Sequence, residues 1–197
     1  MVNESMIDAA ITLIANQLNQ YLRRSFDLTE DIVAISNILE QDGTVPSHVD
    51  NKLVVFLVNI EKDEFPHSRQ PNGNTVGADR SVTNYSPVYL NLYLMFAGNF
   101  SGNNYLESLK FISNTIGFFQ RRPVFDHENT PDLDPRLDKL VMDIENLNIN
   151  DLGNLWGILS SRYLPSILYK VRMVGFDSGD VVTQAPTVRE IQSSANA

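Results

Sequence analysis

The side chains with the clearest capacity for chemistry are three histidines, His48, His67 and His127, and a run of carboxylates, Asp126, Glu128, Asp132 and Asp134. Histidine changes charge near neutral pH and readily ligates metals. Here each histidine falls near proline in a stretch of loop composition, and none has a second histidine or a carboxylate three or four residues further along a helix. The H-E-x-x-H zinc pattern is therefore absent. His127 lies between Asp126 and Glu128, which would suit an adventitious ion, but a solvated loop histidine is the simpler expectation. The four carboxylates offer hard oxygen ligands for calcium, yet prolines break the stretch and the twelve-residue loop spacing with glycine at its sixth position is missing. The segment GNTVG at 73–77 is followed by no Lys-Ser/Thr pair and opens no helix, so it makes no phosphate cradle. No G-x-S-x-G elbow occurs. With no cysteine in the chain, thiolate nucleophiles, disulfides and cysteine-bound zinc are all ruled out. The residues thus predict no catalytic set, no cofactor and no metal site.

Bulk properties narrow the class further. A chain of 197 residues, 43% of them apolar, can bury an ordinary globular core without a staple. Its net charge is −9, and the basic residues gather only at Arg23-Arg24, Arg121-Arg122 and Lys170/Arg172. Phosphate backbones and anionic membranes are bound through clustered Lys and Arg, so neither is an expected partner. The N-terminal MVNESMIDAA has no basic segment leading into an apolar one, and the longest apolar runs (53–58 and 92–97) are far too short to span a bilayer. The expected location is the cytoplasm.

The elements that must position any contact are written in the hydrophobic periods. Ile7, Ile11, Ile14, Leu18, Tyr21 and Leu22 form a helical stripe, with Asn3 or Ser5 available as its cap and Arg23-Arg24 at its C-terminal end. A short strand is expected over 31–37. The run LVVFLVNI (53–60) has the composition of a strand covered on both faces. Residues 61–86, punctuated by Pro66, Pro71, Asn72-Gly73 and Gly77, read as a long polar loop. Period-two alternation over 88–96 marks the clearest strand. A second helix is expected through Tyr105, Leu109, Ile112, Ile116 and Phe119, stopping before Pro123. A Pro- and Asp-rich loop (123–135) follows, then a strand around Leu140, Met142 and Ile144. A short third helix, capped by Asp151, bears Leu152, Leu155, Trp156 and Leu159, and a last strand alternates from Ile167 to Val174. Residues 177–197 read as a tail. The order α-β-β-β-α-β-α-β predicts a single-domain α+β fold, a mixed and mostly antiparallel sheet packed with helices. Most aromatics fall on core faces, whereas Tyr89, Asn91 and Tyr93 share one strand face that becomes a protein contact if no helix covers it.

Several segments resemble one family, the tube-terminator or cap proteins of phage-tail-like contractile injection systems. They are MIDAAITLIANQLNQYLRRSF, QDGTVPSHVDNKLVVFLVNIEKDE, PVYLNLYLMFAGNFSGNNYLESLKFISNTIGFFQRRPVF and LDKLVMDIENLNINDLGNLWGILSSRYLPSILYKVRMV. They cover about residues 6–175 in order, the most specific being NKLVVFLVNIE, YLNLYLMF with YLESLKFIS, and NLWGILSSRYLPSILYKVRM. The resemblance implies a phage tail terminator-like domain over 1–176, followed by a flexible or partner-ordered tail over 177–197. It implies a homo-oligomeric, six-fold ring that ends the inner tube and joins it to the last sheath layer, with tube and sheath proteins as partners and no catalytic residues. Two other readings fit the residues less well: a baseplate or adaptor subunit, and a small hydrolase or ligand-binding domain whose site is assembled from loops.

Overall fold

A computed structural model describes residues 5–40, 42–63, 80–84, 89–174 and 181–186. The first helix, α1 (Met6–Phe26), starts at Ser5, whose Oγ accepts from the Asp8 amide at 3.2 Å. Ala10, Ile14, Leu18 and Leu22 on its apolar side are fully buried, with Ile7 and Tyr21 partly buried at the edges of the stripe. The helix ends on Asp27 in the left-handed region (φ 51°), whose N–H returns to the Arg23 carbonyl. Arg23 does more than complement the helix dipole. Its guanidinium reaches Asp31 at 3.2 Å and the carbonyls of Leu28 and Thr29, fixing the turn that follows. Buried Asn19 accepts from the amides of Ile32 (2.9 Å) and Val33 (3.3 Å), and so lays the next strand beside α1. That strand, β1 (Val33–Ile35), is shorter than its expected span.

A 3-10 turn (Ser47–Val49) leads to β2 (Lys52–Lys62), which runs parallel to β1. The order then continues through β3 (Arg80–Asn84), β4 (Leu90–Asn99), α2 (Tyr105–Arg121), β5 (Val124–Asp126), β6 (Lys139–Ile144), α3 (Ile149–Ile158), β7 (Ser166–Val174) and β8 (Val181–Pro186). Six strands form one sheet in the order β1-β2-β4-β7-β6-β5, antiparallel except at β1/β2. Three strands go beyond the sequence reading. β5 lies in the expected loop 123–135, β3 in the expected loop 61–86, and β8 in the expected tail. β3 and β8 pair with each other, antiparallel, as a separate two-stranded sheet. The remaining described strands and all three helices stand where the periodicity places them.

The sheet is covered on both faces. Leu53, Val55, Leu92, Leu94, Phe96, Tyr169 and Val171 face α1 and α2, whereas Val54, Phe56, Met95, Ala97 and Leu168 face α3 and the segment around Ile38 and Val49. In β2 this double burial holds only for Leu53–Phe56: past a register shift between Leu57 and Asn59 the strand is largely exposed. The first core is aromatic at its centre. Phe119 lies 5.3 Å from Phe96, 5.1 Å from Phe118 and 5.0 Å from Tyr169, centroid to centroid, in edge or tilted geometry.

Helix α2 buries a different stripe from the expected one. Ser108, Phe111, Thr115 and Phe118 with Phe119 face the sheet, while Tyr105 and Leu109 are exposed. The reason is a close approach. Gly98 of β4 lies so near α2 that a Cβ there would meet Ser108 Oγ at 2.1 Å and Ser108 Cβ at 3.1 Å, and Ser108 Oγ donates to the Gly98 carbonyl. Only a small residue fits that helix position. For α3 the cap is Asn148, whose Oδ1 accepts from the Asp151 amide at 2.9 Å, so Asp151 sits in the first turn instead of capping it.

Candidate interaction surfaces

Of the residues singled out for chemistry, His48, His127, Asp126 and Asp134 are engaged locally, whereas Glu128 and Asp132 are exposed. The His127 ring Nε2 is 2.8 Å from the Leu137 carbonyl, and His48 Nε2 is 3.0 Å from Ser36 Oγ. His67 and the segment 73–77 lie outside the described residues. Asp126 accepts from the amides of Glu128 and Asn129, closing a turn. Asp134 accepts from the Arg136 backbone amide and pairs with its guanidinium at 2.6 Å, which holds the carboxyl below the usual aspartate range. Among the described residues no three His, Asp or Glu side chains converge as metal ligands. Arg122 organises this loop from the end of α2: it donates to Gln17 of α1, Thr130 Oγ1 and Asn129, and its guanidinium stacks 4.9 Å from the Phe125 ring centre. The arrangement ties α1, α2 and the 126–130 turn together.

The sheet face carrying Asn91 and Tyr93 splits in two. Toward the Gly98 end it is covered by α3. Toward the other end Tyr93 donates to Glu61 Oε2 at 2.8 Å, Lys170 Nζ lies 5.8 Å from the Tyr93 ring, and Arg172 pairs with Asp143 at 2.7 Å. Asn91 is buried with its Oδ1 unpartnered among the described residues, and Tyr93 is half-buried and tied to Glu61, so this face is only partly open for contact.

Two tyrosines have displaced ionisation. Burial, then the Glu61 carboxylate, pushes Tyr93 up to about 12, and burial alone pushes Tyr169 up to about 12. The Tyr169 hydroxyl has no hydrogen-bond partner among the described residues. Both groups stay protonated in the folded chain at pH values where the unfolded chain, with an ordinary value near 10, releases a proton. Their contribution is intact below pH 10 and is lost as pH rises from 10 toward 12. A tyrosinate absorbance titration is expected to show a late phase near pH 12, lost in the Tyr93→Phe/Tyr169→Phe double variant. A titration complete by pH 11 would contradict the burial argument.

Surface clefts are modest. One of about 370 Å³ lies between the start of α2 and the 162–165 segment, lined by Phe100, Tyr105, Ser108, Arg162, Tyr163 and Leu164, with no histidine or carboxylate. Another of about 350 Å³ holds Glu30, Asp31 and Asp50. There Asp31 is paired with Arg23 and Glu30 lies 3.9 Å from Lys52. More prominent are exposed apolar side chains: Ile149 (87% exposed) and Ile158 (80%) on α3, Leu106 (74%) and Tyr105 (56%) at the start of α2, and Tyr163 (59%) across the cleft from Tyr105. The sequence reading did not single out Ile149, Ile158 or Leu106. The available signal was their position off the apolar stripes of their helices. Among the described residues no helix is long and apolar enough to cross a membrane.

The fold is similar to that of the sheath/tube terminator of PVC, an extracellular contractile injection system, in its extended state (TM-score 0.52, 20% identity, covering 100% of this chain and 65% of that one). It is also similar to the tube-terminating cap of the anti-feeding prophage (TM-score 0.54, 15% identity, 98% of this chain and 62% of that one). This chain spans a little under two thirds of the length of each. No curated protein matches it in sequence. Residues 9–190 match the family described as the Pvc16 N-terminal domain, and at that coverage the chain belongs to the Pvc16 N-terminal domain family.

Proposed function

We propose that this chain is a structural cap of a contractile injection system: a ring, six-fold in the simplest case, that ends the inner tube and joins it to the last sheath layer. The observation that carries the reading is the family match over 9–190, joined to a terminator-like fold. The surface agrees with it, because apolar side chains stand exposed on helices α2 and α3 as well as on several strands, and Asp126 and Asp134 are held in a turn and an ion pair. On this reading the chain has no catalytic role, is made in the cytoplasm, and takes up its place in the particle.

We take residues 1–176 as the body and 177–197 as an arm, of which only Val181–Pro186 lies among the described residues. Because β8 of the arm pairs with β3, and an isolated two-stranded hairpin is marginal in water, that small sheet is stabilised by what it meets in the particle: a neighbouring subunit or the sheath. Particles assembled without this chain are expected to carry tubes of uncontrolled length by electron microscopy. Tubes of normal length with attached sheath would sink the proposal, and a collapse in particle number with normal lengths would assign the chain to the baseplate instead.

A further inference from the structure

Strand β2 is much longer than the edge strand laid against it. β1 pairs only with Leu53–Val55, and the last bond between them runs from the Ser36 amide to the Val55 carbonyl. β2 continues to Lys62, held by β4 along its other side. From Leu57 to Lys62 its outer edge therefore meets no strand among the described residues. Backbone donors and acceptors left open in this way are a template for another strand. The same stretch exposes apolar side chains on one face. Leu57 and Ile60 are both exposed, and the register shift between Leu57 and Asn59 puts them opposite Leu94 and Leu92, on the side of α1 and α2. Ile35, the last residue of β1, is exposed on that side too, paired with Val55 and in line with the open edge. Glu61 and Lys62 put charge at the far end, a guard against indiscriminate pairing.

We infer that the open edge of β2 accepts an extended segment of a different protein, which adds to the sheet in line with β1. Its backbone bonds along Leu57–Lys62, and apolar side chains at its alternate positions rest on Ile35, Leu57 and Ile60. The edge fixes a strand as the occupant, because only an extended backbone matches a ladder. The exposed side chains fix the alternating apolar pattern. This chain does not supply such a segment from outside its described residues: 64–79 is broken by Pro66 and Pro71, and 187–197 spaces Val188 and Ile191 by three. Its own alternating strands, β4 and β7, are already paired on both edges. A second copy would have to lend its own β2 edge, and two copies at −9 repel each other. The inference stands on the fold and goes beyond the cap reading.

Amide hydrogen exchange of the full chain reads the edge directly. The outward amides of residues 57–62 are expected to exchange about tenfold faster than the Leu53 amide, which is bonded to the Ile32 carbonyl. The blocked hexapeptide Thr-Val-Lys-Val-Thr-Val, at saturation, should slow them about tenfold, whereas the same peptide N-methylated at every residue should do nothing. Ile60→Asp, at an exposed position, should abolish the slowing while Trp156 fluorescence stays native. No slowing by the peptide, or equal slowing by its N-methylated form, would overturn the inference. So would slow exchange in the chain alone, which would mean that the chain covers its own edge. Slowing that grows with protein concentration and without peptide would mean that two copies pair, and would overturn the foreign strand. In purified particles the same amides should be protected. Tube length that depends on the chain, with these amides still fast in the particle, defeats this contact alone. Protection by the peptide with normal tubes in the chain's absence defeats the cap reading alone.

Discussion

Phe119→Ala is expected to lower the unfolding free energy by about 3–5 kcal/mol, the range for deleting a large ring from a packed core. Phe119 is fully buried where α2 meets the sheet, and its ring touches Phe96, Phe118, Phe125 and Tyr169. Those neighbours belong to separate elements, β4, α2, β5 and β7, so no single side chain can swing in to fill the void. Domains of this kind are stable by only about 5–15 kcal/mol, so the variant loses a large share of the total. Denaturant unfolding should show a lower midpoint at an unchanged slope. A loss below about 1 kcal/mol would mean that the site collapses, contrary to the rigid packing described. Phe119→Leu should recover much of the loss, because it restores most of the volume.

Trp156→Ala is the second large effect, about 3–5 kcal/mol, but with a different character. Trp156 is the one fully buried residue of α3, resting on the second core beside Met95, Ala97 and Leu168 and meeting Tyr163 edge-on at 5.9 Å. Without it α3 keeps only half-buried leucines and two helix-weakening glycines to hold it on the sheet. Its amides should exchange with solvent faster than those of β4 and β7, which remain in the larger core. Trp156→Phe separates packing from polarity. The indole Nε1 is buried with no hydrogen-bond partner among the described residues, so the phenyl ring sheds an unsatisfied donor along with some volume. The expected loss is below about 1.5 kcal/mol. A Phe variant as damaged as the Ala variant would show that the indole nitrogen has a partner that matters.

The elements most legible in the sequence were those long enough to repeat a period. The nine-residue alternation around Leu92 and Leu94 and the stripe of α1 each report a buried face, and tertiary packing only confirms what the spacing states. β5, with three residues (VFD), is too short to show any period and owes its existence to pairing with β6. β3 and β8, RSVTN and VVTQAP, are polar for strands, and each is defined by a partner about a hundred residues away in the chain, which no local window contains. The α2 stripe was misread for a related reason. Tyr105, Leu109 and Ile112 make as good a helical face as Phe111, Thr115 and Phe118, and the choice between them was settled by Gly98 on a different element. The contact surface was the least legible part. Periodicity separates inside from outside, and an apolar residue meant for a neighbouring molecule departs from that pattern without announcing its destination. Tyr93 shows the converse, a residue that looked available and is tied to Glu61.

The placement of β4 between β2 and β7 also governs how the chain comes off the ribosome. β2, β4 and α2 emerge early, but the strand that closes the other edge of β4 begins only at Ser166. Throughout synthesis of the intervening segment, the nascent chain presents Leu92, Leu94 and Phe96 on a strand with one open side, a template for pairing with other unfinished chains. Termination or cleavage before β7 should therefore yield an insoluble fragment instead of a smaller domain, and the finished fold should arrive in one late step when that last strand docks.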